Sequence, residues 1–330
     1  MKTLRQCTDR QEWDNYVLEN GGHPLQLWGW GELKSAHGWS AERVLLTDDS
    51  GEISGAAQVL YRRLFWPFRS IAYIPRGPII TDDNSEELLN LLADHIKKTR
   101  HCVALSIEPD TEQFTVPKGW KPSKNRILPS RTILLDLSKS EDSLRAAMET
   151  STRRYIRKAG ESGLVIKKIH NRGELDECLD VYQDTAKRAK FNLHSRQYYY
   201  DAFEKLGDSA VVFAAYSDEK PVAFLWLAVS ANTAFELYGG MNETGKQLGG
   251  SYGLKWHAIC KSKEWGIARY DFGGLVDGGV TGFKKSWTDT ETVFAGTFDR
   301  PLSIFYGLWG FAMPIGKSLA RTMKSFLGKK

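Results

Sequence analysis

Apolar and polar positions group along the chain in two successive passes with the same order. In the first, residues 10–20 and Trp28 to Gly38 carry helical spacing. A strand over Arg43–Thr47 runs into Asp48-Asp49-Ser50-Gly51, whose short polar side chains and glycine suit a tight turn, and a strand returns over Ile53–Tyr61. Ile71–Ile74 is a third strand, stopped by Pro75-Arg76-Gly77-Pro78. Asn84-Ser85-Glu86-Glu87 reads as a capped helix start running through Ile96, and Val103–Ile107 as a further strand. The second pass has helices over Tyr182–Lys190 and near Tyr198–Lys205, a strand Val211–Tyr216, a turn at Ser217-Asp218-Glu219-Lys220, and a return strand Pro221–Val229. Thr233–Tyr238 follows as a strand ended by Gly239-Gly240. A helix over Tyr252–Trp265, with Gly266 as its C-cap, leads to strand Ala268–Phe272 and Gly273-Gly274.

The passes keep register. Ile107 lies 34 positions after Tyr73, and Phe272 lies 34 after Tyr238; the offset, 165, is half of 330. A shared order and a constant offset read as an internal duplication. The expected architecture is α/β: two tandem domains, each a mixed twisted sheet flanked by helices. The expected ranges are 1–145 and 146–300, with a tail over 301–330.

Composition fits that size. With 42% hydrophobic residues and 11 tryptophans, the chain can build two cores. No apolar run reaches spanning length, and the first ten residues lack the apolar region of a signal peptide, so a cytoplasmic protein is expected. Cys7, Cys102, Cys178 and Cys260 are scattered, which fits reduced thiols better than disulfides or a metal site.

Charge adds two features. The net charge is +5, and residues 301–330 hold five basic side chains and no acidic one, so the tail carries the whole excess. There Leu319, Met323, Phe326 and Leu327 share a helical face, while Lys317, Arg321 and Lys324 lie mostly elsewhere, a pattern that suits an anionic membrane interface or packing on the second domain. At the junction of the halves, a helix over residues 151–160 gathers Arg153, Arg154, Arg157 and Lys158 with no carboxylate before Glu161. A solvated basic face is one reading. A phosphate-binding surface for a polyanion such as a tRNA acceptor arm is the other.

Chemistry-bearing motifs are sparse. No Ser-His-Asp, Cys-His or metal-ligand spacing is present. His194 stands alone as a candidate base. Glu108, at the end of the first half's last strand and in register with Gly273, is a candidate base or binding group. Gly245-Lys246-Gln247-Leu248-Gly249-Gly250-Ser251 is a blurred version of a glycine loop that would cradle a pyrophosphate at a helix start.

Six segments in order resemble the Fem-type aminoacyltransferases, within the GNAT acetyltransferase superfamily. They are Gln26-Leu27-Trp28-Gly29-Trp30-Gly31-Glu32-Leu33-Lys34, Tyr73-Ile74-Pro75-Arg76-Gly77-Pro78, Thr152-Arg153-Arg154-Tyr155-Ile156-Arg157-Lys158-Ala159, Tyr252-Gly253-Leu254-Lys255-Trp256-His257-Ala258-Ile259, Tyr270-Asp271-Phe272-Gly273-Gly274 and Gly282-Phe283-Lys284-Lys285-Ser286-Trp287. The resemblance implies transfer of an amino acid from aminoacyl-tRNA to an amine of a peptidoglycan precursor, lipid-linked or UDP-linked. The tRNA would be a co-substrate, and no cofactor is expected. The stretch from Arg196 to Val211 leaves no room for the helical arm of some family members. By position, Lys34 matches a lysine on the acceptor's diphosphate, and Arg196 a second phosphate-binding residue with Tyr198 or Tyr199 nearby. Tyr238 matches an acceptor-lining tyrosine, Lys284 a lysine near the reaction centre, and Arg76 a residue shaping its turn. Peripheral contact with the inner face of the plasma membrane through 302–330 is the further expectation. Two alternatives stay open: an acyl-CoA-dependent N-acyltransferase, and a non-enzymatic pair binding a glycan precursor or nucleic acid.

Overall fold

The computed structural model describes residues 2–81, 85–275 and 279–311. Asn84 of the expected helix cap and the tail from residue 312 lie outside the described residues. Along the chain run β1 (Thr3–Gln6), α1 (Arg10–Glu19), α2 (Trp28–Ala36), β2 (Ser40–Thr47), β3 (Ile53–Arg63), β4 (Ser70–Pro75), β5 (Ile79–Ile80), α3 (Ser85–Thr99), β6 (Cys102–Glu108) and β7 (Lys121–Pro122). Then come β8 (Arg131–Thr132), β9 (Leu134–Asp136), α4 (Glu141–Ala146), α5 (Thr150–Glu161), β10 (Val165–Lys168), α6 (Arg172–Ala189), α7 (Arg196–Leu206), β11 (Ala210–Ser217), β12 (Lys220–Val229) and β13 (Thr233–Met241). The last are α8 (Glu243–Leu248), α9 (Gly250–Glu264), β14 (Arg269–Asp271), α10 (Gly279–Lys285), β15 (Thr292–Val293) and β16 (Phe298–Pro301).

Local chemistry sets the element ends. Asp48 Oδ1 accepts from the N–H groups of Ser50 and Glu52 and closes the β2–β3 turn. Asn171 caps α6 ten residues before the helix expected at Tyr182, and Ser195 caps α7. In α3, Leu88, Leu89, Leu92, Ala93 and Ile96 are buried at three- and four-residue intervals, so the crossover helix covers its sheet with one face.

The chain forms two compact units, both discontinuous in sequence. Unit 1 comprises residues 1–13, 34–130 and 294–330; unit 2 comprises 14–33 and 131–293. These differ from ranges cut once near residue 145. Unit 1 has the sheet β1-β2-β3-β4-β6-β16-β7, with β5 on β3. Unit 2 has β10-β11-β12-β13-β14-β9. Each sheet is an antiparallel run joined to one parallel neighbour, β4–β6 or β13–β14, through a crossover helix. Beyond it, each sheet is completed antiparallel by a strand that follows the other half in sequence: β16 beside β6, β9 beside β14.

Each sheet has its own core. In unit 1 Val44, Val59, Ile74, Leu92, Leu105 and Ile107 pack together. In unit 2 Phe213, Leu227, Leu254, Ile259, Tyr270, Phe272 and Trp287 do so. Residues 14–33 belong to unit 2: Trp28 N–H bonds Asp14 Oδ1 at 2.7 Å, and Gly29 lies so near the Lys205 carbonyl that any Cβ would collide with it.

Candidate functional site

Unit 2 opens at the point where its parallel pair stops. β13 pairs with β14 only from Thr233–Arg269 to Phe235–Asp271. On its other edge the register against β12 slips between Leu227 and Trp226, which leaves Leu237 without a partner. Such a bulge bends the strand and re-aims its side chains. A cavity of about 600 Å³ lies there, walled by Glu236 to Met241 of β13, Tyr252 and Lys255 of α9, Phe272 and Gly273 beyond β14, and Phe283 and Lys284 of α10. That volume suits a small ligand or the end of a larger one. Gly273 sits at φ 76, and a Cβ there would strike the Glu236 carbonyl, so this wall requires glycine.

Two lysines stand in the wall. Lys255 is buried, with Nζ 2.8 Å from Glu236 and lying over the rings of Phe272 and Phe283 at 4.1 and 4.8 Å. Glu236 Oε1 also accepts from the Tyr270 hydroxyl at 2.8 Å. Burial pulls the Lys255 pKa down to about 8; Glu236 opposes the fall and Lys284 adds to it. Lys284, from the last turn of α10, donates to the carbonyls of Phe272 and, at 2.8 Å, Gly274. Burial lowers its pKa too, against the pull of Glu236 and Asp271. Partly dehydrated ammonium groups in a cavity wall can stabilise a developing oxyanion. A lysine titrating near neutrality can also exchange a proton.

The predicted tyrosines form one cluster, of which Tyr238 lines the cavity. Its hydroxyl is 3.4 Å from that of Tyr198, and its ring meets Tyr199 edge-on at 5.2 Å. Tyr198 and Tyr199 are buried behind it. His194 stacks on Tyr198 at 4.0 Å, and its backbone N–H donates to the Tyr199 hydroxyl at 3.1 Å. Burial raises the pKa of Tyr238 and Tyr199, so both are neutral. Arg196 is not in the cavity wall: it is exposed and paired with Asp176 and Asp180 of α6.

A second basin, of about 910 Å³, lies between α5 and α9. Arg145, Arg153, Arg154 and Arg157 line it, against one carboxylate, Glu161. α5 is held against α9 by the Tyr155–Tyr252 stack at 4.8 Å, and Thr152 donates to the hydroxyl of Ser286 at 2.7 Å. Arg153 donates to the carbonyls of Met148 and Arg145, while Arg157 reaches Glu161 at 4.0 Å. Lys158 is exposed on the same helix and is not part of the lining. The expected glycine loop has another form. Asn242 caps it into helix α8, with Gly245 N–H on Asn242 Oδ1 and Lys246 N–H on the Asn242 carbonyl. Those N–H groups are spent on the protein rather than turned to an anion.

Three predicted residues belong to unit 1. Lys34 is half-buried in the last turn of α2, and its carbonyl accepts from the N–H groups of His37 and Trp39. Arg76, at φ 47, lays its guanidinium over Phe294 at 3.6 Å and donates to the Pro129 carbonyl, which fits the loop-shaping role. Glu108 is buried and accepts from the N–H groups of Ile127 and Leu128 and the hydroxyls of Thr297 and Tyr73. A carboxylate so fully bonded has a structural environment rather than that of a free base.

Sequence reasoning missed Lys255, Glu236 and Arg145. The first two did leave a signal: each is a lone charge inside an otherwise apolar helix face or strand.

A twice-built sheet with one crossover helix per copy, and a splayed parallel pair enclosing a cavity in the second copy, make a tandem α/β fold. Residues 8–125 match the FemAB family and residues 146–285 the acetyltransferase (GNAT) domain. It is 29% identical over 235 residues to a lipid II:glycine glycyltransferase of Staphylococcus aureus strain MRSA252, which covers 64% of this chain and 55% of that protein. The chain thus spans about half the length of the curated relatives it matches. Among solved structures it is similar to FemX, with a TM-score of 0.80 at 20% identity over 91% of this chain and 97% of that one. It is also similar to a tandem GNAT protein from the clavulanic acid biosynthesis pathway, with a TM-score of 0.52 at 8% identity over 92% and 99%. These likenesses bear out the expected fold of two GNAT-like domains.

Proposed function

We propose that the protein transfers an amino acid from aminoacyl-tRNA to an amine of a peptidoglycan precursor's stem peptide. The observation that carries this reading is the unit 2 cavity, whose wall holds Lys284 beside the Lys255–Glu236 pair. The acceptor nitrogen forms the new C–N bond at the ester carbonyl, and the carbonyl oxygen gains negative charge facing the lysine ammonium groups. As the C–O bond to the ribose breaks, the ribose oxygen takes a proton and the amine loses one. Lys255, with a pKa of about 8, is suited to carry that proton. An aminoacyl ester is already activated, so positioning and charge stabilisation suffice without a cofactor.

The arginine-lined basin suits the acceptor arm of the tRNA, with Arg153, Arg154, Arg157 and the adjacent Lys158 on phosphates. An acyl-CoA donor is less favoured, because α8 occupies the place of an anion-cradling loop. The lipid II:glycine glycyltransferase relatives support a peptidoglycan precursor as acceptor; the role of Lys34 on its diphosphate rests on its motif position alone. No helix among the described residues is long and apolar enough to cross a membrane. A tRNA donor sets the work on the cytoplasmic side, and the basic segment 302–330 is the proposed contact with the membrane's inner face.

Incubation with charged tRNA and either lipid II or the UDP-linked muropeptide, read by mass spectrometry, tests the reading. The expected product is heavier by one amino acid residue, and RNase treatment of the donor abolishes it. Acylation by acetyl-CoA that is insensitive to RNase would overturn it.

A further inference from the structure

We propose that unit 1 docks on an anionic lipid bilayer through a surface made by the β3–β4 turn together with helical residues 306–311. The turn, Leu64 to Arg69, is closed by the Leu64 N–H on the Arg69 carbonyl at 2.8 Å. It projects Phe65 and Trp66, which are 66% and 86% exposed. On the helical segment and the turn before it, Ile304, Leu308 and Phe311 are 93%, 55% and 77% exposed. The two pieces form one surface because Phe68 and Trp309, both buried, meet at 5.1 Å over a small core with Ile71, Val103 and Ala104. Folding has therefore fixed the base of the patch and left its large apolar side chains in water, the mark of an interaction surface.

Charge selects the partner. From Arg62 to Thr81 and from Arg300 to Lys330 the sequence contains no aspartate or glutamate. Arg62, Arg63 and Arg69 are exposed around the turn, and Lys121 lies over Tyr306 at 4.2 Å beside the helical segment. An exposed tryptophan and phenylalanine within a cationic collar match the interfacial region of an anionic membrane, where amphipathic rings sit at headgroup depth and basic side chains meet phosphates. A protein partner would be expected to meet some acidic groups on this face. The β3–β4 turn, remote in sequence from the tail, is the new element here.

The test is co-sedimentation of the full chain with phosphatidylcholine vesicles, with and without phosphatidylglycerol. Neither tRNA nor muropeptide is present, so the result is independent of the transfer reading. The expected result is binding only to the anionic vesicles, weakened by salt. Phe65→Ser with Trp66→Ser should lower partitioning by about tenfold or more, since two large rings no longer leave water. Arg63→Gln with Arg69→Gln should lower it by roughly twenty-five-fold, about fivefold for each basic residue near the surface. Trp66 is nearly bare, so its loss removes no packing. Three outcomes would overturn the proposal: no binding of the wild type to anionic vesicles, undiminished binding by the Phe65/Trp66 variant, or a dimer in sedimentation that the same variant dissolves while vesicles bind neither protein.

Discussion

Replacing Lys255 by methionine and Glu236 by glutamine together removes a buried ion pair while keeping its volume and the acceptor for the Tyr270 hydroxyl. The wild type and this double variant should then differ in how stability depends on pH. In the folded protein Lys255 titrates at about 8, against 10.5 for an ordinary lysine. Below pH 8 both the folded and unfolded chains hold the proton, and folding carries the full cost of burying the ammonium. Between pH 8 and 10.5 the unfolded chain binds one proton more than the folded one, so wild-type stability rises with pH relative to the variant. At about 1.4 kcal/mol per unit, the relative gain from pH 7 to 10 is roughly 2.5 kcal/mol. The raised tyrosines act in the opposite direction above pH 10: Tyr73 and Tyr238 are common to both proteins and cancel, while Tyr270, which Glu236 helps to raise, is held up chiefly by burial in both. Urea unfolding at half-unit steps from pH 7 to 10 measures it. With slopes of about 1–3 kcal/mol per molar urea, the midpoints should separate by about 1 M or more over that range. A difference that stays flat, or that moves against the wild type, would show that Lys255 keeps its proton in the folded protein, and the proton-carrying role would fall with it.

Other substitutions separate chemistry from support. Lys284→Met should cut turnover in the transfer assay by about 10²–10³-fold while leaving acceptor KM within a factor of about two, the pattern for a group acting on developing charge; near-normal turnover would remove Lys284 from that role. Glu108→Gln sets an amide NH2 among groups that also donate, and should cost roughly 1–3 kcal/mol in urea unfolding while saturated turnover is unchanged; intact stability with lost turnover would make Glu108 catalytic after all. Changing Arg153, Arg154 and Arg157 to glutamine should weaken binding of charged tRNA. It should also flatten the salt dependence by about one unit of log–log slope for each phosphate no longer neutralised, as read by filter binding.

How far the sequence reveals this fold depends on how local each signal is. The β2–β3 and β11–β12 hairpins, the crossover helices and the glycine after β14 are legible because their causes lie within a few residues: turn chemistry, helical spacing and a wall that admits no Cβ. Lys284 and Tyr238 are reached through resemblance and do stand in the cavity wall. The strands β9 and β16 leave no such trace. They are three and four residues long, and each pairs with a strand more than a hundred positions away, Leu134 with Asp271 and Phe298 with Ile107. Their role exists only in the assembled sheet. Arg196 is reached through the same resemblance, yet two carboxylates on α6, four residues apart, hold its guanidinium.

The two copies differ at the end of their parallel strand pair, and that difference bears on the proposed place of the chemistry. In unit 1 the parallel ladder continues through Ile74–Ile107 to Pro75–Glu108, and the Glu108 carboxylate gathers two N–H groups and two hydroxyls at its end. A strand pair finished in that way is sealed. In unit 2 the ladder stops at Phe235–Asp271, the bulge at Leu237 turns β13 aside, and glycine stands where unit 1 has Glu108. The carboxylate reappears on the other strand, as Glu236, and there it holds a lysine rather than backbone N–H groups. A buried ammonium that titrates near 8 is poorly suited to holding a fold together, since replacing such a pair by apolar groups often leaves stability unchanged or improved. Its presence in the wall of the open copy, and the sealing of the other by a carboxylate, are what favour unit 2 as the reacting half in the proposed function, with the sheet end of unit 1 serving the fold.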